Sequence, residues 1–486
     1  MLNKKIGWQF DNTYAKLPEN MLSHVKPTRV QKPELIIFNH ELAREIGLNF
    51  SDIKNEELAE IFSGNKLPIG SETIAQAYAG HQFGHFTILG DGRALIIGEH
   101  VTKDNHRYDI QFKGSGKTPY SRNADGRAAL GPMLREYIIS ESMHKLGIKT
   151  SRSLAVVQTG ENIIREKILK GAILTRVASS HIRIGTFQYA LVSKDRNNLK
   201  ALFDYTIKRH YPHIRKSTSS ASELLKIVLE KQIKLICDWM RVGFIHGVMN
   251  TDNMTISGET IDYGPCAFMD SYDPSTVFSS IDQLGRYAYF NQPKVAQWNL
   301  ERFAESLLPL IDKDSDKAIK IATEILKEFS KKYKISWIKM MKQKLGLIGE
   351  DQNDERLITD LLKWMHRYKA DYTNTFCYLM NELAKENKIF QNEEFKLWKK
   401  KWKYRVNLNN NSYKESIKLM RESNPLFIPR NHLVENALND AEANNFETLL
   451  NLLAVLKNPY DNNSLAAKFQ SSSDPNNVEY KTYCGT

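Results

Sequence analysis

The sequence has 486 residues, 41% of them hydrophobic, which is enough for one large two-lobed domain or for more than one domain. Lys and Arg outnumber Asp and Glu by 68 to 56, and the resulting charge of +12 suits either a polyanionic ligand such as a nucleotide or an ordinary Lys-rich surface. The lack of an apolar signal segment, of a run of about 18 apolar residues and of a CxxC pair argues against a secreted, membrane-spanning or disulfide-scaffolded protein. With the Lys-, Asn- and Ile-rich composition, these features lead us to expect a bacterial cytoplasmic protein.

Residues 1–85 are predicted to form an irregular N-terminal extension with short helices. The segment KPELIIFNHELAREIG, residues 32–47, has the apolar spacing of an amphipathic helix. The segment SETIAQAYAGHQFG, residues 71–84, begins with a Ser–Glu pair typical of a helix cap and ends in glycines. His81 and His85 are spaced like zinc ligands on a helix, but a place in the core or in a turn is the simpler interpretation.

Residues 86–185 have the strand and helix order of a protein-kinase small lobe. FTILGDGRALIIGEH predicts a β-hairpin around its Gly-Asp-Gly turn, and RYDIQFKGSG predicts a third strand that ends near Lys113. GPMLREYIISESMHKLG predicts a helix that stops at Gly147, and RSLAVVQTG and AILTRVAS predict two further strands. We therefore predict an α+β, protein-kinase-like, two-lobed fold.

The rest of the chain is predicted to be mainly helical. Residues 186–300 would form the large lobe, with a long amphipathic helix in ASELLKIVLEKQIKLICDWMRVGFIHG that leads into a catalytic and metal-binding segment. Residues 301–462 would form a helical C-terminal region. The polar residues 463–486, which include Cys484, would form a mobile tail.

The segment HGVMNTDNMTISGETIDYG, residues 246–264, follows the pattern of a kinase catalytic segment. Asn253 takes the place of the kinase Asn, and Asp262 opens an Asp-Tyr-Gly in place of Asp-Phe-Gly, but Val248 occupies the position of the catalytic Asp. Asn253 and Asp262 offer hard oxygen ligands for Mg²⁺ or Mn²⁺. The neighbouring Asp252 could accept the proton of an attacking hydroxyl group. The alternatives are that NTDN is only a turn, or that the segment is a remnant that binds without catalysis.

Two features of the small lobe point to phosphate groups. Gly90 and Gly92 flank a turn whose backbone N–H groups could approach a phosphate beside the cation of Arg93, although the turn alone favours an ordinary hairpin. Lys113 ends a predicted strand and Glu136 lies in the following helix, as in the kinase ion pair that holds the phosphate-binding Lys. Two unrelated surface charges are the alternative for this pair.

Further candidates lie outside the usual kinase pattern. Arg176 and Arg183 follow a small-lobe strand seven residues apart, and they either clamp a phosphate or are solvated. Asp125 and Gly126 precede the predicted helix, in a loop that either faces the nucleotide or forms only a turn.

These strings together resemble the SelO (selenoprotein O) pseudokinase family over nearly the whole chain. The resemblance rests on YAGHQFGHF, LGDGRA, QFKGSGKTPYSR, DGRAALGPMLREY, HGVMNTDNM and IDYGPCAFMD, and on the cysteine near the C-terminus. It implies a kinase-like fold with flanking extensions and transfer of AMP from ATP to Ser, Thr or Tyr hydroxyls of proteins, with release of pyrophosphate. It also implies UMP transfer from UTP with Mn²⁺ as a further activity. Self-modification is possible within this scheme, and neither a nucleic acid nor a membrane is expected as a partner.

The resemblance also implies roles for the candidate residues. ATP would bind in the reverse orientation to that in a kinase, with Asp252 as the base, Asn253 and Asp262 as ligands of Mg²⁺ or Mn²⁺, and Glu136 positioning Lys113. The nucleotide-binding residues would be Gly90, Gly92, Arg93, Lys113, Asp125, Gly126, Arg176, Arg183 and Asp262. An ordinary protein phosphotransferase and a non-catalytic nucleotide-binding scaffold remain the alternatives.

The cysteine positions suggest a possible redox control. Some SelO family members carry selenocysteine near the C-terminus, where this chain has Cys484. Cys266 follows the Asp-Tyr-Gly motif by two residues, and a mobile tail could bring the two sulfur atoms together. Two unconnected thiols are the alternative.

Overall fold

The computed structural model of the protein describes residues 6–193, 195, 197–385, 387–408, 413–462 and 466–472. Within these ranges the protein has an α+β, protein-kinase-like fold with a β-rich small lobe and a helical large lobe, which confirms the predicted fold class. Cys484 lies outside the described residues. None of the described helices is both long and apolar enough to cross a membrane.

The secondary structure follows the order of the predicted elements from residue 86 onward. The strands are β1 Leu22–His24, β2 Glu34–Phe38, β3 Ile74–Gln82, β4 His85–Gly90, β5 Ala94–Val101, β6 Arg107–Lys113, β7 Ala128–Ala129, β8 Arg152–Ile164, β9 Ile168–Ala178, β10 Phe244–Ile245 and β11 Ala267–Phe268. The α-helices are α1 His40–Glu45, α2 Asn55–Phe62, α3 Leu130–Lys145, α4 Ile184–Val192, α5 Asn197–His210, α6 Ser220–Val242, α7 Gln292–Ile311, α8 Ser315–Lys344, α9 Asp354–Arg367, α10 Tyr372–Leu379, α11 Glu393–Val406, α12 Tyr413–Ser423, α13 Asn431–Glu442, α14 Glu447–Leu456 and α15 Ala466–Phe469.

The small lobe is built on one antiparallel sheet with the strand order β1-β3-β5-β6-β9-β8-β2, to which β4 adds by pairing with β3 and β7 by pairing with β9. The predicted hairpin around the Gly-Asp-Gly turn is wrong, because β4 and β5 each pair with β3. The tight turn lies instead between β3 and β4. There Phe83 and Gly84 have φ values of +51° and +91°, which allow the two-residue connection.

Two segments that the sequence analysis read as helical are strands. The apolar run in residues 34–38 pairs with β8, and helix α1 begins only after it. In β3, Ala77 and Ala79 pair with Gly90 and Ile88 of β4, and both faces of the strand are largely buried. The sheet therefore contains strands from both sides of residue 86, and the proposed domain boundaries stay a prediction.

Side chains alternate between the two faces of the sheet. On β6, Ile110 and Phe112 pack into a hydrophobic cluster that includes Phe62 of helix α2. The residues between and after them, Gln111 and Lys113, therefore face the opposite side, toward helix α3. This face becomes one wall of the candidate active site.

Helix α6 leads the chain into the catalytic segment. It ends at Gly243, whose φ of +72° is a left-handed conformation that glycine adopts without strain. Strand β10 then leads to His246, which is fully buried with its ring centroid 5.4 Å from that of Trp239. Nε2 of His246 lies 2.9 Å from the carbonyl oxygen of Ile261, so the two ends of the catalytic segment are joined.

Candidate active site

Lys113 and Arg176 lie side by side because their strands pair in a fixed register. Gln111 of β6 is opposite Arg176 of β9, and Lys113 is opposite Leu174. These positions share one face of the sheet. Nη1 of Arg176 donates a hydrogen bond to Oε1 of Gln111 at 3.1 Å. Both cations are buried, so they need carboxylates close by.

Glu136 of helix α3 supplies one carboxylate to both cations. Its Oε2 accepts a hydrogen bond from Nζ of Lys113 at 2.7 Å, and its Oε1 accepts one from Nε of Arg176. The Lys113 contact agrees with the strand–helix ion pair expected from the sequence. Burial alone would raise the pKa of the Glu136 carboxyl, but the charges of Arg176 and Lys113 outweigh burial and keep that pKa below its usual value.

Asp262 is the second carboxylate of this cluster. Its Oδ1 accepts a hydrogen bond from Nη2 of Arg176 at 2.6 Å and lies 3.6 Å from Nζ of Lys113. Its Oδ2 lies 3.6 Å from Nη2 of Arg183. Burial opposes ionisation of Asp262, but the charges of these three cations outweigh it and hold the pKa of the carboxyl well below its usual range. Its φ of +59° is rare for a residue with a side chain, and such residues cluster at functional sites.

Arg183 is buried at the junction of the two lobes, just before helix α4. Its Nη2 lies 3.7 Å from Oδ1 of Asp91, and its guanidinium carbon lies 4.3 Å from the ring centroid of Tyr78. Nη1 donates to the carbonyl oxygen of His181 at 3.0 Å, whereas Nε has no hydrogen-bond partner among the described residues. Arg183 therefore has longer carboxylate contacts than Arg176, and part of its hydrogen-bonding capacity is unused.

Asp252 is buried, and unlike Glu136 and Asp262 it has no cation within ion-pair distance among the described residues. Its Oδ1 has no hydrogen-bond partner in the part of the chain that the structure describes. Burial raises the pKa of Asp252 to about 7, even though Arg183 favours the ionised form. Strand β3 passes so close that a Cβ added to Gly80 would lie 2.1 Å from this oxygen. A carboxyl group with such a pKa and an unused oxygen can accept a proton near neutral pH.

Asn253 and Asp262 stay the predicted ligands of a divalent metal ion that would arrive with a nucleotide. Nδ2 of Asn253 donates to the carbonyl oxygen of Val248 at 2.8 Å, which leaves the amide oxygen as a ligand atom. Val248 thus replaces the kinase Asp with a residue that contributes only a backbone contact. The described residues contain no group of three or more His, Cys, Asp or Glu side chains suited to a metal ion. Phosphate and water oxygens would therefore complete the coordination, as is usual for Mg²⁺.

The turn between β3 and β4 is fastened to the catalytic segment. The backbone N–H of His81 donates to Oγ1 of Thr251 at 2.8 Å, and that of Phe83 donates to Oδ1 of Asn250 at 3.2 Å. The hydroxyl of Tyr287 donates to the same oxygen of Asn250. His81 and His85 therefore border a turn, which agrees with the interpretation that these histidines lie in the core or in a turn.

Gly90 and Gly92 make room for Tyr120, a packing role that was not predicted from the sequence. A Cβ on Gly90 would lie 2.3 Å from the ring of Tyr120, and one on Gly92 would lie 2.9 Å from the carbonyl oxygen of the same residue. Burial and the charge of Arg176 lower the pKa of Lys113. Arg93 lies close enough to Lys113 that its charge lowers this pKa further. Nucleotide binding by these residues stays a prediction.

The structure does not bring Asp125 and Gly126 into the charged cluster of described residues. The carboxylate of Asp125 is 44% exposed and forms an ion pair with Arg165 at 2.8 Å, beyond the end of β8. Gly126 has a φ of +71°, and a Cβ there would lie 2.1 Å from the carbonyl oxygen of Gly116. Both residues shape a loop before β7, and their contact with a nucleotide stays a prediction.

Cys266 is buried, and burial raises the pKa of its thiol to about 12. A buried, protonated thiol reacts slowly with disulfides and peroxides. Cys484 lies outside the described residues, so the proposed redox pair stays a prediction.

Several residues shape the site by being small or by orienting a cation, and their roles were not predicted from the sequence. Gly80 makes room for Asp252, and a Cβ on Gly185 would lie 1.9 Å from the carbonyl oxygen of Ala79. Tyr78 supports Arg183, and Asp91 accepts a hydrogen bond from the backbone N–H of Gln76 at 3.0 Å. The alternation of small residues in AQAYAG was the available signal, because it indicates a strand that another chain segment approaches closely.

Comparison with known proteins decides the family. The family model described as protein adenylyltransferase SelO matches residues 4–457. The chain belongs to the SelO family. Among its relatives, the protein nucleotidyltransferase YdiU of Pelagibacter ubique is 57% identical over 481 residues, which cover 99% of this chain and 100% of the relative.

Other SelO relatives are almost as similar. Proteins with the same name from Nitrosococcus oceani and Bacillus cytotoxicus are 56% and 53% identical, covering 100% and 99% of this chain and 99% of each relative. A solved structure, described as ROP2 from Toxoplasma gondii with a protein-kinase fold and no enzymatic activity, aligns at a TM-score of 0.27 and 8% identity. That alignment covers 68% of this chain and 87% of the other.

Proposed function

We propose that this protein transfers AMP from ATP to hydroxyl groups of other proteins and releases pyrophosphate. Membership of the protein adenylyltransferase SelO family supports this activity. The observation that carries the proposal is the buried carboxylate of Asp252, which has an unused oxygen and lies next to the metal-ligand candidate Asn253. A scaffold that only bound a nucleotide would have no use for such a group.

In the proposed reaction, the acceptor hydroxyl oxygen attacks the α-phosphorus of ATP. The new oxygen–phosphorus bond forms while the bond to the pyrophosphate oxygen breaks, and Asp252 takes the hydroxyl proton. A base whose pKa is near the working pH is both deprotonated often enough and basic enough to assist this transfer. Asp252 is therefore the proposed catalytic base.

The cation cluster supports a reversed nucleotide. Lys113 is hydrogen-bonded to Glu136, and Arg176 to both Glu136 and Asp262, whereas the carboxylate contacts of Arg183 are longer, at 3.6 and 3.7 Å. Arg183 can therefore turn to a phosphate with the smallest loss of existing contacts. We propose that Arg176 and Arg183 bind the γ-phosphate, which leaves the α-phosphate toward Asp252.

The remaining nucleotide-binding residues are proposed from the family resemblance. They are Gly90, Gly92, Arg93, Asp125 and Gly126. Asn253 and Asp262 would hold Mg²⁺ or Mn²⁺, and the bound ion would neutralise phosphate charge. UTP with Mn²⁺ as an alternative donor, Ser, Thr or Tyr as acceptors, self-modification and a bacterial cytoplasmic location belong to the same proposal.

The position of a radioactive label tests the proposal. The protein is incubated with a heat-inactivated bacterial protein extract and Mg²⁺ or Mn²⁺, and with ATP labelled with ³²P at either the α- or the γ-phosphate. We expect protein-bound label from α-labelled ATP alone, and none with the Asp252→Ala variant. Label from γ-labelled ATP would mean phosphate transfer and a nucleotide in the usual kinase orientation. If neither form of ATP labelled protein, the result would support a scaffold that binds a nucleotide without catalysis.

A further inference from the structure

A groove of about 590 Å³ lies beside the catalytic segment and has no role in the AMP transfer proposed for Asp252 and the nucleotide-binding residues. One wall is the turn between β3 and β4, with Phe83 and His85. The other walls are the loop at residues 281–286 and the first turns of helix α7, with Trp298. A volume of this size accommodates several side chains of a bound polypeptide.

The groove is joined directly to the catalytic segment. The backbone N–H of Phe83, which lines the groove, and the hydroxyl of Tyr287, which follows the lining residue Arg286, both donate hydrogen bonds to the side-chain oxygen of Asn250. Asn250 precedes the proposed base Asp252 by two residues. A polypeptide that occupied the groove would therefore be placed next to the site of AMP transfer.

The rim of the groove exposes large apolar side chains. Leu284 is 96% exposed and Ile281 is 64% exposed, and both belong to the loop that lines the groove. Clustered exposed apolar side chains next to a concave surface are typical of sites that bind another protein.

The groove also carries positive charge that is not neutralised internally. The guanidinium of Arg286 lies 4.8 Å from the ring centroid of Trp298, and no carboxylate among the described residues lies within ion-pair distance of it. Asp282 is the only acidic residue among the described residues that line the groove, and it accepts hydrogen bonds from the backbone N–H groups of Arg286 and Tyr287 at 2.9 and 2.8 Å. Lys294 adds a second, exposed cation.

We propose that this groove binds the segment of the protein substrate that carries the acceptor hydroxyl. The segment has an apolar side chain that packs on Leu284 and Ile281, and an acidic side chain that pairs with Arg286. This inference rests on the proposed AMP transfer. It makes Leu284 and Arg286 determinants of protein-substrate specificity, separate from the residues that bind the nucleotide.

The test compares the full-length protein with Leu284→Asp and Arg286→Glu, and with Arg356→Glu as a matched control. Arg356 is 80% exposed on helix α9 and lies outside the groove. Each protein is incubated with α-³²P-labelled ATP and a bacterial protein extract, and modified sites are mapped by mass spectrometry. The ATP-induced rise in melting temperature shows whether each variant is folded and binds nucleotide. Leu284 is so exposed that its substitution should not disturb folding.

We expect both groove variants to bind ATP like the unchanged protein and to label the extract at least about tenfold more slowly, while Arg356→Glu labels it normally. Sites modified by the unchanged protein should be enriched in acidic and apolar neighbours, and Arg286→Glu should lose the preference for acidic ones. Equal labelling by all the proteins, or modified sites without these neighbours, would overturn the groove proposal. If the unchanged protein transferred no AMP at all, the failure would lie in the proposed function.

Discussion

Gly80 of strand β3 lies directly against the side chain of Asp252, with so little space that a Cβ at residue 80 would be 2.1 Å from Oδ1 of Asp252. The small lobe and the catalytic segment of the large lobe are therefore fitted to each other at the proposed base. The position of the carboxylate depends on a residue that has no side chain.

Gly80→Ala is expected to displace Asp252 and to slow AMP transfer by about a hundredfold, because small errors in the position of a catalytic group are costly. Gly131→Ala in helix α3 is the matched control, since its Cβ would have its nearest neighbour 3.6 Å away, at Oε1 of Glu442. Rates of α-³²P transfer and melting temperatures of both variants check this prediction. Normal transfer by a folded Gly80→Ala protein would contradict the close fit.

Asp252→Asn is expected to stabilise the metal-free protein at neutral and alkaline pH. The pKa of Asp252 is about 7 in the folded protein, whereas its ordinary value is 3.8. At pH values between these two pKa values, the folded protein therefore binds one proton more than the unfolded protein. Stability contributed by this group is therefore lost as the pH rises from about 4 to about 7. At pH 8 the variant should gain about 2–4 kcal/mol in free energy of unfolding, and at pH 4 the gain should vanish.

Urea unfolding of the unchanged protein and of Asp252→Asn across this pH range measures the effect. Asp204→Asn serves as the control, because Asp204 forms an exposed i,i+4 ion pair with Lys200. A constant difference between Asp252→Asn and the unchanged protein from pH 4 to pH 8 would show that the pKa of Asp252 is not raised.

Glu136→Gln should destabilise the protein by about 3–5 kcal/mol, because it removes the more buried of the two carboxylates that the buried cations Lys113 and Arg176 share. Glu230→Gln is the control, since it breaks only an exposed ion pair with Lys332 and should leave the midpoint of urea unfolding unchanged. Equal midpoints for the two variants would mean that the cations find other partners when Glu136 is neutral.

The strand and helix order after residue 86, and the strand Lys with its helix Glu, could be predicted because each depends on local spacing in the sequence. The strand nature of residues 34–38 could not, because it depends on pairing with β8 far along the chain, and that of residues 74–82 depends on pairing with β1, β4 and β5 rather than on local apolar spacing. The carboxylates that contact Arg176 and Arg183 could not be predicted from the sequence either. A sequence gives the charge of a guanidinium group, but only the fold shows that Asp262 lies between them.

Asp262→Ala should abolish binding of Mn²⁺ in the presence of ATP, because it removes the only carboxylate among the proposed metal ligands. Equilibrium dialysis measures this binding as the excess of Mn²⁺ in the protein chamber, because free Mn²⁺ and the Mn²⁺–ATP complex equilibrate between the two chambers. Asp270→Ala is a control for loss of a carboxylate elsewhere in the large lobe, where Asp270 pairs with Arg430. Mn²⁺ binding by Asp262→Ala at normal strength would remove Asp262 from the metal site. Chelation of divalent metal with EDTA should likewise stop AMP transfer by the unchanged protein.

The most direct test of AMP transfer is the mass of the intact protein after incubation with ATP and Mg²⁺ or Mn²⁺, with a bacterial protein extract supplied in a parallel reaction. Self-modification or modification of an extract protein should add about 329 Da per AMP, and Asp252→Ala and Asp262→Ala should add nothing. An increase of about 80 Da would instead indicate phosphate transfer and would contradict both the reversed nucleotide and the roles given to Arg176 and Arg183.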